Sequence, residues 1–149
     1  MDNSTLTASA VMSFVERLEE DSARFYERLA EKFAEGRETF LAFAQASRKN
    51  KTHLVRTYQE TITDALEATF SFEGLALSDY GFEAALAEGL SLKAALEKAL
   101  EIEGKASSLY TQIAEQAQSL LATIPRAFSR VAKDRAARKE TLQTMLDKA

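Results

Sequence analysis

Apolar residues recur every three to four positions over four stretches of the chain, and the breaks between stretches fall on glycine, serine and proline. Over residues 7–35, Val11, Phe14, Val15, Leu18, Phe25, Leu29 and Phe33 share one broad face at the helical period, which predicts a first helix. Gly36 interrupts it. A second periodic stretch, residues 38–66, carries Phe40, Phe43, Leu54, Tyr58 and Ile62, and so short a link makes the two helices antiparallel neighbours. Over residues 69–91 the pattern loosens around Gly74, Gly81 and Gly89, with scattered aromatics at Phe70, Phe72, Tyr80 and Phe82. This segment reads as a long crossover holding one short helix at 82–87. A third helix is expected over 92–120 with Ser91 as its N-cap, and a fourth, with Pro125 in its first turn, running to Asp147.

The expected fold is therefore all-α: an antiparallel four-helix bundle made of two hairpins, about 9–66 and 92–147, joined by the crossover 67–91 as one domain over 1–149. The halves also resemble each other. A shift of 84 positions lays Leu18-Glu19 on Ile102-Glu103, Ser22 on Ala106, Tyr26 on Tyr110 and Leu29-Ala30-Glu31 on Ile113-Ala114-Glu115. A shift of 85 lays Phe43 on Phe128, Ala46 on Val131, Ser47 on Ala132, Asn50 on Arg135 and His53 on Arg138. Amphipathic helices share apolar spacing in any case, but the common Glu-x-x-(Ser/Ala)-x-x-x-Tyr element is more specific and suggests an internal duplication.

Candidate chemistry comes from polar residues standing where the period demands apolar ones. On the first helix the row Val15, Glu19, Ser22, Tyr26, Leu29, Phe33 turns Glu19 inward, and on the third the row Leu96, Ala99, Glu103, Ala106, Tyr110, Ile113 turns Glu103 inward. Two buried carboxylates facing each other repel, and each costs several kcal/mol unless paired, so a cationic group is expected between them. The row Phe43, Ala46, Asn50, His53, Thr57 offers an Asn and the chain's single His, while Phe128, Val131, Arg135, Arg138, Leu142, Met145 offers two arginines.

Residues 18–33, LEEDSARFYERLAEKF, and 102–117, IEGKASSLYTQIAEQA, resemble the first and third helices of rubrerythrin-type ferritin-like proteins, where a Glu ligand precedes a Tyr by seven positions. The resemblance covers about 110 residues. It implies a ferritin-like bundle in which the first and third helices each give a Glu, the second and fourth each give a Glu-x-x-His pair, and two irons lie between them. Carried over by position, it keeps Glu19 and Glu103, finds Asn50-x-x-His53 on the second helix, and finds Arg135-x-x-Arg138 on the fourth. One Glu and both ligands of the fourth helix are thus replaced. The family's tyrosines near the metals correspond to Tyr26 and Tyr110, whose plainer role is to fill the core with a satisfied hydroxyl.

Two irons call for roughly four carboxylates and two imidazoles. Arg cannot shed its proton to become a ligand, and a guanidinium about 4 Å from a cation costs about 4 kcal/mol at an effective dielectric near 20. The favoured expectation is that Arg135 and Arg138 replace the metals and pair with Glu103 and Glu19, so that no cofactor is expected. The alternative keeps one Fe, Mn or Zn ion on Glu19, His53 and Glu103. A third reading leaves these groups exposed by an error of helical phase.

Composition narrows the rest. Cysteine is absent, which excludes disulfides, thiolate metal sites and rubredoxin-type iron centres. A net charge of −4 supplies no broad basic field for nucleic acid, and the cluster Arg130, Lys133, Arg135, Arg138, Lys139 reads as a solvated face with inward arginines. Neither a secretory leader nor a membrane span is legible, so a cytoplasmic location is expected. The functions left in play are a non-catalytic regulatory or interaction module, expected to be a homodimer; a rubrerythrin-like oxidoreductase with an atypical site; and a metal-handling protein.

Overall fold

The structure, a computed structural model, describes residues 5–61, 70–119 and 123–149. The expected tail of the second helix at 62–66 with Ile62, the start of the crossover at 67–69 and Leu120 lie outside the described residues. Four long helices make up most of the rest: α1 (Ala8–Lys32), α2 (Arg37–Thr61), α3 (Leu92–Gln116) and α4 (Thr123–Lys148). Among the described residues no helix is long and apolar enough to cross a membrane.

Local chemistry sets the helix ends. The Thr7 hydroxyl accepts from the Ala10 amide at 3.1 Å and caps α1, and Ser91 caps α3 by accepting from Ala94 at 3.1 Å, as its position predicted. Gly36 turns the chain between α1 and α2 with φ +82°, a left-handed conformation that disfavours any side chain.

Contacts between helices give their directions. Glu20 meets Lys51 and Glu27 meets Arg48, so α1 and α2 are antiparallel. Tyr26 reaches Glu103 and Tyr110 reaches Glu19, which makes α1 and α3 antiparallel; Glu103 with Arg135 and Ser107 with Ala132 do the same for α3 and α4. It follows that α3 runs parallel to α2, and the connection between them has to travel back along the bundle.

It does so in an extended form. A short strand β1 (Thr5–Thr7) pairs antiparallel with β2 (Ser71–Glu73), Leu6 opposite Phe72, and ties the crossover to the start of α1. Glu73 then bonds Gln116, Tyr80 accepts from Gln112 and the Ala85 carbonyl accepts from Lys98, so the segment descends along α3. The short helix expected at 82–87 does not form; the helical turn in this region is a 3-10 turn at Leu77–Tyr80. Phe82, Ala84 and Leu86 are half-buried while Glu83, Ala85 and Ala87 are exposed. That two-residue alternation lays every second side chain on the core, and this packing outweighs the local helix propensity of an Ala- and Leu-rich stretch.

The core divides in two. Val11, Val15, Leu54, Leu109, Ile113 and Phe128 belong to one apolar cluster, and Phe25, Leu29, Phe40, Leu96, Ile102 and Leu142 to the other. Between them every helix contributes polar side chains.

Candidate functional site: a buried ionic layer

On α1 the first apolar cluster ends at Leu18 and the second begins at Ala23; on α3 the switch falls between Ile102 and Ala106. Glu19, Ser22 and Glu103 occupy these gaps, joined by Ser47 from α2 and by Arg135 and Arg138 from α4, and all six are buried. Glu19, Glu103 and Arg135 are 0% exposed, so water screens none of their charges.

Arg135 is the centre of the layer. Its Nη2 lies 2.8 Å from Glu19 Oε2 and donates to Ser22 Oγ at 3.0 Å, while Nη1 donates to both oxygens of Glu103 at 2.9 Å. The Ser22 hydroxyl in turn donates to the Leu18 carbonyl at 2.7 Å. Burial works against the charge of Arg135, but the carboxylates of Glu103 and Glu19 outweigh it and push its pKa well above the ordinary value. Arg138 approaches Glu103 Oε2 at 3.5 Å, donates to Ser47 at 2.9 Å and to Asp134 at 3.1 Å, and places its guanidinium 5.4 Å from the centre of the Phe43 ring.

The two tyrosines complete the layer by a reciprocal exchange. Tyr26 of α1 donates to Glu103 of α3 at 2.5 Å, and Tyr110 of α3 donates to Glu19 of α1. For both phenols burial, followed by the charge of the carboxylate each one faces, raises the pKa well above the ordinary 10.0. They are therefore fixed donors across the neutral range.

Glu19, Tyr26, Glu103, Tyr110, Arg135 and Arg138 thus lie together in one layer. Asn50 reaches the layer only through Asp134, to which its amide donates at 3.0 Å. His53 is not part of it. That histidine is half-buried in a separate cleft with Thr57, Thr123, Arg126, Ala127 and Arg130, and bonds to no member of the layer. The inward row expected on α2, Phe43, Ala46, Asn50, His53, Thr57, is out of phase by one residue: the side chains that α2 buries are Phe40, Ala44, Ser47, Leu54 and Thr61.

Ser47 and Asp134 are the contributors not singled out from the sequence. Asp134 precedes Arg138 by four positions, a pairing that helical spacing alone suggests. Ser47 carried no comparable signal.

The donor set fits neither a diiron centre nor the single-metal alternative. A guanidinium lies within 3 Å of both carboxylates, both oxygens of Glu103 are engaged, and Oε2 of Glu19 is shared by Tyr110 and Arg135. His53 does not converge with the two acids, and among the described residues no three His, Asp or Glu side chains are placed to hold a metal ion. Among the described residues three buried atoms, Glu19 Oε1, Arg135 Nε and Arg138 Nε, have no protein partner. Comparison of the chain with protein-family models, curated proteins and solved structures finds no match to any of the three.

Proposed function

We propose that this chain is a ferritin-like bundle of rubrerythrin-type build in which an ion-pair layer stands where that family holds its irons, and that it serves as a non-catalytic interaction or regulatory module. One observation carries the reading: the guanidinium of Arg135 lies between Glu19 and Glu103, at 2.8 Å and 2.9 Å, in the space a cation would need. The single long crossover between two antiparallel hairpins supports the fold assignment, since ferritin-like bundles are connected in this way. Support for a duplicated origin comes from the exchanged bonds, Tyr26 to Glu103 and Tyr110 to Glu19, which fall at matching positions of the two halves.

An arginine in this position does for two carboxylates what a metal does elsewhere, neutralising them and fixing their distance, but it has no open coordination site and no redox couple. The module would then act through its surfaces, and a homodimer through a helix face belongs to the same proposal. The test is elemental analysis of protein produced with iron, manganese and zinc supplied, alongside peroxidase and oxidase assays and sedimentation. No bound metal and no turnover are expected. Stoichiometric metal that disappears in Glu19→Ala would overturn the reading.

A further inference from the structure

The cleft that takes His53 away from the ionic layer has a chemistry of its own. It is an open groove of about 200 Å³ between α2 and α4, lined by His53, Thr57, Thr123, Arg126, Ala127 and Arg130. His53 and Thr57 are one turn apart on α2; Arg126 and Arg130 are one turn apart on α4. Helical spacing therefore puts two stacked pairs of side chains on facing walls.

Two permanent cations, an imidazole and two hydroxyls share this cleft, and no carboxylate lines it among the described residues. Some surface cations are paired with carboxylates among the described residues. Arg48 is held by Glu20 and Glu27, Lys51 by Glu20, and Arg24 by Glu20. Among the described residues no carboxylate pairs with Arg126 or Arg130. The carboxylate nearest in sequence, Asp134, one turn beyond Arg130, is engaged by Arg138 and Asn50. In a chain of net charge −4, two like-charged side chains one turn apart that line a cleft shared with a histidine make a local positive region.

From this arrangement we infer that the cleft is a binding site for a small phosphate-bearing anion, a phosphate monoester or inorganic phosphate. The donors suit that ligand. Two guanidinium side chains line it from α4, the Thr57 hydroxyl supplies a neutral donor, the Thr123 hydroxyl is shared with Thr61 at 3.2 Å, and His53 supplies a ring N–H from α2. The volume admits a phosphoryl group and leaves the remainder of an ester outside the mouth. None of this depends on the metal-free reading of the ionic layer, because no residue of the cleft bonds to that layer.

Titration calorimetry of the full chain with inorganic phosphate and with phenyl phosphate, at constant ionic strength, tests the inference. Saturable binding is expected, weakened about tenfold or more by Arg126→Ala and again by Arg130→Ala. Both side chains are exposed, so neither change endangers the fold, and circular dichroism confirms that in each variant. Vesicles of phosphatidic acid against phosphatidylcholine distinguish a lipid headgroup from a soluble ester as the source of the phosphate; binding lost with the two arginines supports the site in either arm. Absence of saturable binding to every probe, equal displacement by chloride, or affinity unchanged in the double variant would each overturn it.

Discussion

Arg135 meets Glu103 through a single nitrogen: Nη1 lies 2.9 Å from each carboxylate oxygen, which frees Nη2 for Glu19 on the opposite helix. One side chain of α4 thereby ties α1 to α3 across the core. Removing one partner of a buried pair leaves the other charge without compensation, which costs about 3–5 kcal/mol, whereas removing all partners together costs far less. Arg135→Met is expected to lower stability by about that amount in urea unfolding. Combined with Glu19→Gln and Glu103→Gln, it should recover much of the loss, and additive costs would rule out the pairing. Arg138→Met should cost less than Arg135→Met, because Asp134 is 41% exposed and can be hydrated.

The same physics separates buried from surface charge. Arg48 also holds two carboxylates, Glu27 at 2.5 Å and Glu20 at 3.1 Å, but its side chain is 43% exposed. Its hydrogen bonds lower the pKa of both acids, yet exposed pairs contribute only about 0–1 kcal/mol and are screened by salt. Arg48→Ala is expected to change the urea midpoint slightly, and to do so less at high salt. A loss comparable to that of Arg135→Met would contradict the contrast.

The reciprocal tyrosine bonds are symmetric in position and unequal in consequence. Glu103 keeps Arg135 and Arg138 when Tyr26 is lost, but Glu19 keeps Arg135 alone when Tyr110 is lost, and its Oε1 already has no partner. A hydrogen bond to a charged group contributes about 1.5–3 kcal/mol. Tyr110→Phe should therefore sit at the upper end of that range and Tyr26→Phe at the lower. Equal midpoints for the two variants would show that the flanking arginines do not share the load.

How far the sequence reveals this layer depends on how firmly each helix phase is pinned. On α1, α3 and α4 large apolar residues flank the polar ones on both sides, as Leu18 and Phe25 bracket Glu19 and Ser22, and the inward set follows from spacing. On α2 the stretch from Ala44 to His53 holds no large apolar residue, so a row through Asn50 and His53 looks as good as the true one through Ser47 and Leu54. One residue of phase is about 100° of rotation, enough to carry His53 from the expected centre into a surface cleft. The crossover departs from its expected helix for a related reason. Its Ala and Leu content signals helix, and only the bundle surface beneath Phe82, Ala84 and Leu86 makes the extended form better.

Gly36 gives a prediction that bears on the turn alone. A Cβ there would lie 2.5 Å from Cε of Met145 on α4 and 3.2 Å from the Phe40 ring, at a φ of +82°. The methionine end is flexible and can yield, so the backbone conformation decides. Gly36→Ala should destabilise by about 1–2 kcal/mol or slightly more, and shortening Met145 to Ala in the same chain should recover little of it. Near-complete recovery would assign the cost to the contact instead.

The buried phenols are expected to contribute to the alkaline destabilisation of the fold. Burial and then the facing carboxylates hold the pKa of Tyr26 and Tyr110 well above the 10.0 at which a phenol in the unfolded chain ionises. Below that pH both states carry the proton and the contribution to stability is complete. Above it the unfolded chain releases protons that the folded chain retains, so the unfolded state binds fewer of them and stability falls as pH rises. Urea midpoints measured from about pH 8 to about pH 11 should decline across the upper part of this range. Lysines lose their charge there too, and the comparison that isolates the phenols is the Tyr26→Phe, Tyr110→Phe double variant. It should be less stable near neutrality and show a shallower alkaline decline; an unchanged slope would mean that these two protons are not what the folded state defends.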